Sequence, residues 1–327
     1  MIVILLYFIL AFSELQSGYG LKTNLLYITY DDLRTELSIY GRHHMITPNF
    51  ERLAAKSVVF DYAFSQIAVC NPSRDSQLTG LRPDTLGTYG FQYSFRPNMI
   101  IPTYLLQNDY ETAAYGKILH WDGKYSDVWS VDHFDADWGR YSRREGRFMN
   151  ASVTPDNTRP EESFKDHELT TSAINTLRVL ADKNEYFMLA IGFKLPHVPI
   201  HIPYKYFDMY RPKTDVWKRS KRDLTYPSST PLMQYKCCVA PHFQYITANG
   251  TRRTPQREWV NDITKVNTPF TQRMHTELMW GYSAAVTFLD VQLGRVLDVI
   301  DNMGLWNNLT VVLTSDHGMH NGEKGIW

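Results

Sequence analysis

The sequence predicts an α/β protein with a mostly parallel central sheet and helices on both faces. Three observations predict it. Short apolar, β-rich runs alternate with amphipathic helical segments along the chain. No internal repeat or low-complexity tract interrupts that alternation. Several of the apolar runs stop abruptly at polar residues, and in open parallel sheets ligands bind outside the carboxyl ends of strands.

Each element has its own signal. NLLYITYDD, from Asn24, is a strand that stops at Asp31 and Asp32. In TPNFERLAAKSVVF, Thr47 reads as an N-cap and Pro48 as the first helical residue. Pro72 suits the first turn of a helix running through Leu78, which sets Cys70 beside a helix N-terminus. DYETAAYGKILH gives a strand ending at Gly116 and Lys117, followed by His120. TTSAINTLRVLADK is helical in pattern, and EYFMLAIGFKLPHVP is an apolar strand ending in Lys194, Pro196 and His197. A long amphipathic helix is expected from Glu277 to Met303, closed by Gly304, and LTVVLTSDHG is a buried strand running into Asp316 and His317. From Trp121 to Pro160 and from Tyr204 to Phe270 the periodicity fails, so irregular excursions with short helices are expected there.

At 327 residues the chain has room for one large domain or two modest ones. Its 34 basic and 34 acidic residues balance, which implies no nucleic-acid partner, so an anionic substrate has to be met by local charge. The apolar run from Ile2 to Phe12, followed by small and polar residues, reads as a secretory leader over residues 1–20. That run is too short to span a bilayer, and no other stretch reads as a stable membrane span. Sequons at Asn150, Asn249 and Asn308 agree with export. Cysteine is sparse: Cys70, then Cys237 and Cys238 as neighbours, which is no basis for a disulfide framework.

Asp31, Asp32, Lys117, His197, Asp316 and His317 all follow predicted strands, so residues far apart in sequence converge on one rim. Three carboxylates beside an imidazole suit a divalent cation, and oxygen-rich ligation favours calcium or magnesium over zinc. Asp31-Asp32 alone reads equally as a solvated turn, Asp316-His317 alone reads as one with less weight, and Lys117 and His197 alone read sooner as a surface lysine and a packed loop histidine. Arg74, Lys117 and His197 together suit an oxyanion such as sulfate or phosphate. For Cys70 two readings stand on the residues: a thiolate nucleophile at a helix N-terminus, or a buried free cysteine.

The string CNPSRDSQLTG, Cys70 to Gly80, resembles the signature of the type I sulfatases. Further similarity lies in YDDLRTELSIYG, TPNFERLAAKSVVFDYAFSQIAVCNPSR, LRPDT, GKILH, PHVPIHIPYKYF, SAAVTFLDVQLGRVLD and TSDHG, across nearly the whole of residues 21–327. The resemblance implies an alkaline phosphatase/sulfatase-like fold and a Cys70 oxidised during export to Cα-formylglycine by the formylglycine-generating enzyme. It also implies one calcium ion held by Asp31, Asp32, Asp316, His317 and the modified residue 70. By the same resemblance Arg74 pairs with the formylglycine diol and the metal site, while Lys117 and His197, with His120, attend the sulfate. His317 in place of asparagine leans towards the branch that removes the 2-O-sulfate of iduronate from heparan and dermatan sulfate. That branch implies a sulfated glycosaminoglycan substrate and a lysosomal or secreted location.

The chain departs from the family pattern at its end. Members continue Gly-Glu-His-Gly-x-Trp-x-Lys; here Lys324 replaces the histidine and the sequence stops at Trp327. Residues 21–327 are therefore expected to be the N-terminal major part of a catalytic domain, with a C-terminal subdomain missing. Two other functions are compatible with the sequence: a truncated, inactive glycan-binding protein, and a phosphoesterase of the alkaline phosphatase superfamily, whose members usually place Ser or Thr at the nucleophile.

Overall fold

The computed structural model describes residues 22–90, 100–120, 126–131, 153–218, 245–246, 252–253 and 272–323. The expected leader, the sequons at Asn150 and Asn249, Cys237, Cys238 and Lys324 lie outside the described residues. The strands are β1 (Asn24–Asp31), β2 (Tyr110–Gly116), β3 (Val153–Asp156), β4 (Tyr186–Pro196), β5 (Ile200–Pro203), β6 (Tyr245–Ile246), β7 (Arg252–Arg253) and β8 (Leu309–Ser315). The α-helices are α1 (Pro48–Ala54), α2 (Cys70–Thr79), α3 (Pro83–Leu86), α4 (Ile101–Leu106), α5 (Lys165–Ala181), α6 (Tyr204–Asp208) and α7 (Gln272–Asn302).

Four strands form the central sheet in the order β2-β4-β1-β8, and every pairing is parallel. Parallel strands with helical crossovers are buried on both faces, which is why these strands read as nearly unbroken apolar runs. Alternate residues then serve opposite layers. Leu26, Ile28 and Tyr30 of β1 pack with Leu177 of α5 and Phe288 and Leu289 of α7. Tyr27 points the other way, towards Leu78 of α2 and Leu105 of α4. The α/β class with helices on both faces is what the alternating pattern predicts.

The boundaries differ from expectation in informative places. Helix α7 begins at Gln272, before the predicted Glu277, and runs for 31 residues, with Gly304 beyond its end at φ 66°. Thr47 does occupy the N-cap position of α1, but its hydroxyl is spent elsewhere, accepting from Ser38 N at 3.1 Å. The α1 amides of Asn49 and Phe50 instead donate to the Asp290 carboxylate of α7, each at 2.9 Å. A tertiary carboxylate at the positive end of the helix takes over the role that the local pattern assigns to threonine.

The two aperiodic stretches contain more order than the sequence signals. The first holds a 3-10 turn, Ser126–Val128, and β3, which pairs with β5 as a separate parallel ribbon. The second holds α6, the 3-10 segment Arg211–Trp217 and the antiparallel β6–β7 pair. Among the described residues, no helix is long and apolar enough to cross a membrane.

Candidate active site at the carboxyl rim of the sheet

Asp31 is the last residue of β1, and Asp32 turns away from the sheet at φ 70°, a left-handed conformation uncommon for aspartate. Asp316 follows β8 and stays tied to the sheet by its N–H, which donates to Tyr30 O at 3.2 Å. Lys117 follows β2 at a point where two backbones nearly touch. A Cβ on Gly192 of β4 would stand 2.1 Å from Lys117 O, and one on Gly116 would stand 2.2 Å from Gly192 O. Only glycine lets the ends of β2 and β4 close this tightly, and Gly116 also takes φ 78°.

His197 depends on an irregularity in β4. Tyr30 pairs with Phe193, but Asp31 pairs with Pro196, so Lys194 and Leu195 bulge out of register. Their amides donate to the buried Asp166 carboxylate in the first turn of α5, at 3.1 and 3.3 Å. The bulge re-aims the chain so that His197 Nε2 comes to 3.9 Å from Asp32 Oδ2.

Helix α2 carries the rest. The expected start near Pro72 moves back to Cys70, with Val69 as the N-cap, so Cys70 lies within the first turn. Residues Cys70 to Ser76 are all buried, including the charged Arg74. Arg74 donates through Nε to Asp316 Oδ2 at 2.9 Å and through Nη2 to Asp31 Oδ1 at 3.2 Å. Its Nη1 donates to the Lys117 and Ile118 carbonyls. Ser73 Oγ donates to the Asp316 carbonyl, and Lys117 Nζ to Asp31 Oδ2. One guanidinium thus ties the ends of β1, β2 and β8 together.

The remaining predicted residues close around the thiol. His317 Nε2 is 3.3 Å from Cys70 Sγ, and His317 Nδ1 is 3.1 Å from Asp32 Oδ1. His120 lies close enough to feel the charges of Lys117, Asp31, Arg74 and His197. The structure therefore brings all nine predicted site residues (Asp31, Asp32, Cys70, Arg74, Lys117, His120, His197, Asp316 and His317) to one rim.

The electrostatics at Cys70 are set by its burial and its charged neighbours. Burial, reinforced by Asp31 and opposed by Lys117, pushes its thiol far above the ordinary cysteine value. With no metal cation beside it, this environment favours the thiol over the thiolate. Among the described residues Cys70 forms no disulfide. Desolvation also lowers His197, to about 4, and His120, to about 3, with Lys117 contributing to both. Both imidazoles are neutral near neutral pH.

The three carboxylates are unequal. Desolvation alone would raise Asp31, but Lys117, His197 and Arg74 hold it well below the usual carboxylate range. Asp32 goes the other way: desolvation, then Asp31 and Asp316, push it well above that range. Three acidic charges face two permanent cations, and both Arg74 and Lys117 sit on the other carboxylates. Asp31, Asp32 and Asp316 each direct an oxygen to within 4.8 Å of the others, and Asp32, Cys70 and His317 do the same with their ligand atoms. A cluster short of one positive charge, rich in hard oxygen donors and buried, fits a divalent cation such as calcium.

Sequence reasoning missed several residues that hold this rim. Ser73, Asp166, Gly192 and Tyr282 act through backbone contacts made only after folding, and their types carry no local signal. The repeated apolar residues around Gly192 mark a strand but not the glycine–glycine approach.

Fold and rim together define an α/β protein with a buried polar site at the carboxyl edge of a parallel sheet. Comparison with known proteins narrows this: the Sulfatase family model matches residues 23–327, and the chain belongs to the sulfatase family. The iduronate 2-sulfatases of Mus musculus and Homo sapiens are each 31% identical to it, over 93% of this chain and 56% of theirs. The chain thus spans about half the length of these curated relatives. A sulfatase of Formosa agariphila is also 31% identical, over 94% of this chain and 61% of its own. Among solved structures, the phosphonate monoester hydrolase of Agrobacterium radiobacter superposes with TM-score 0.61 at 17% identity, covering 92% of this chain and 64% of that one. A protein in complex with its substrate D-glucosamine-2-N,6-O-disulfate superposes with TM-score 0.60 at 22% identity, covering 94% and 67%. Both likenesses establish the fold.

Proposed function

We propose that the rim is the catalytic centre of a sulfuric ester hydrolase that uses one calcium ion and a Cα-formylglycine made from Cys70. Its proposed substrate is the 2-O-sulfate of iduronate in heparan or dermatan sulfate. The observation that carries this reading is the meeting of a buried cysteine with three carboxylates and His317, beside Arg74 and Lys117. Membership of the sulfatase family supports the sulfate ester, and the 31% identity to iduronate 2-sulfatases supports the sugar. Processing by the formylglycine-generating enzyme requires the export route, so a secretory, lysosomal or secreted location belongs to the same proposal.

Asp31, Asp32, Asp316 and His317, with residue 70, would hold the calcium. Calcium, when bound, would supply positive charge to polarise the sulfate group, and a hydrated formylglycine would supply one hydroxyl as nucleophile towards sulfur and a second whose deprotonation releases the sulfate. The protein's own residues do the positioning. Arg74 fixes Asp31 and Asp316 in place before substrate arrives, so little reorganisation is needed on binding. Lys117, anchored by Asp31, adds positive potential beside the sulfate without becoming a mobile surface charge. His197 and His120 are both neutral; His197 donates its Nδ1–H to the Val198 carbonyl and keeps its Nε2 lone pair for a proton, so a histidine protonated at this rim would be the group to pass that proton to the leaving sugar oxygen.

The test is direct. Co-expression with the formylglycine-generating enzyme should convert residue 70 to the aldehyde, read by mass spectrometry of its tryptic peptide. The same protein should release sulfate from a 2-sulfated iduronide in a calcium-dependent way, and Cys70→Ser should abolish sustained turnover. Only unmodified cysteine at position 70, or full turnover by Cys70→Ser, overturns the proposal. Cleavage of a phosphate monoester in preference to the sulfate would move the protein to phosphoester chemistry.

A further inference from the structure

Asp32 is the carboxylate with most reason to bind a cation and the one with the least ordinary backbone. Its φ of 70° demands support, because a non-glycine residue in the left-handed region costs on the order of 1 kcal/mol or more. Support comes from both sides. Its N–H donates to Asp316 Oδ1 at 3.0 Å, and its carbonyl accepts from the Tyr282 hydroxyl at 2.8 Å. The same hydroxyl accepts from the Arg34 N–H at 2.8 Å. Tyr282 is fully buried on α7, so one phenol closes the acidic turn from Asp32 to Arg34.

The clamp extends further through Arg34. Its Nη1 donates to the Met319 carbonyl at 3.2 Å, and its guanidinium pairs with Glu36 and Glu323 at 2.7 and 3.0 Å. Arg34 therefore grips the loop that follows Asp316 and His317. The two halves of the acidic set, after β1 and after β8, are joined at Asp32 and Asp316 in front and through Tyr282 and Arg34 behind.

We infer that Tyr282 is a positioning residue for the cation centre: its hydroxyl sets the orientation of the Asp32 carboxylate by holding that residue's carbonyl and the Arg34 amide. The inference rests on the proposed calcium centre. It reaches beyond the residues that would touch the ion, and no chemistry passes through Tyr282 itself. Outer partners that orient metal ligands typically contribute 10- to 100-fold to affinity.

Calcium binding to the purified protein tests this by calorimetry and by the calcium dependence of the thermal midpoint, with no turnover involved. Tyr282→Phe removes one oxygen and should weaken calcium binding by about 10-fold or more. Trp280→Phe is the control on the same helix: its indole donates to Phe207 O at 2.6 Å, away from the acidic turn, so calcium affinity should stay within about twofold of wild type. A Tyr282→Phe protein that folds only with calcium present gives its affinity from the calcium dependence of refolding, judged against the same thresholds. Wild-type affinity in Tyr282→Phe, or equal weakening in both variants, overturns the inference alone. No calcium response in wild type overturns the centre on which it rests.

Discussion

Asp32→Asn should stabilise the protein when calcium is chelated and destabilise it when calcium is abundant. Without the ion, Asp32 faces Asp31 and Asp316 with oxygens inside 4.8 Å. At that distance and an effective dielectric of about 20, each like-charged neighbour costs about 3.5 kcal/mol. Lys117 and Arg74 offset part of this, and burial adds to it, leaving a net relief on the order of 2 to 4 kcal/mol for the neutral amide at pH 7. The sign with pH follows. A carboxyl that stays protonated in the folded chain well above 3.8 binds protons that the unfolded chain has released. The chelated wild type therefore loses stability as pH rises from about 3.8 through that raised range, and Asp32→Asn removes this loss. On the proposed calcium centre the order should reverse: calcium at about 100 times its dissociation constant should add about 2.7 kcal/mol to wild type and much less to the variant. Urea denaturation with a chelator and with calcium measures both arms. An Asp32→Asn protein less stable than wild type in chelator, and with an undiminished calcium response, would refute the reading of Asp32 as a carboxylate held ready for a cation.

Other perturbations have equally definite signs. Gly192→Ala drives a methyl to 2.1 Å from the Lys117 carbonyl, which accepts from Arg74, so equilibrium unfolding should show a loss of about 3 kcal/mol or more; a loss under about 1 kcal/mol would show that the strand ends can part freely. His197, lowered from 6.5 to about 4, stays neutral in the folded chain while the unfolded chain gains a proton, so stability should fall as pH drops from about 6.5 to about 4. Its side chain is 25% exposed, which trims the contribution to on the order of 1 to 2 kcal/mol, measured as the difference between wild type and His197→Gln in chelator. An unchanged pH slope in His197→Gln would remove the buried-neutral assignment.

The legible parts of the molecule were those written in one segment at a time. A parallel strand is an apolar run with a polar stop, so β1, β2, β4 and β8 could be read directly, and the rule that ligands gather at carboxyl ends placed Asp31, Lys117, His197 and Asp316 together. What escaped is what two segments decide jointly. Thr47 has the residue type and position of a cap, yet Asp290 from a helix over two hundred residues away supplies the cap. Lys194 and Leu195 look like ordinary strand residues, and only pairing with β1 reveals the bulge that Asp166 braces. Tyr282 sits in an apolar helical stripe where its ring is expected and its hydroxyl carries no signal. At Cys70 the helix N-terminus was legible because it is local, whereas the burial and the three nearby carboxylates that raise the thiol are not.

The burial of Cys70 also constrains when it can be changed. Every residue from Cys70 to Ser76 is buried, Arg74 is committed to two carboxylates and two carbonyls, and Ser73 to the Asp316 carbonyl. An enzyme that reads this stretch in extended form cannot do so without dismantling the rim, because the same side chains that would be read are the ones holding β1, β2 and β8 together. The open state requires loss of a buried ion-pair network, and breaking such a network typically costs about 3 to 5 kcal/mol for a single partner. On the proposed modification of Cys70, folding and modification would compete for one segment, and modification would have to come first. Protein folded with an unmodified cysteine, then mixed with the formylglycine-generating enzyme, should remain unmodified, while a peptide spanning Val69 to Gly80 is converted under the same conditions. Equal conversion of the two, read from the tryptic peptide, would mean that helix α2 opens readily in the folded protein and that Arg74 is not the clasp its contacts describe.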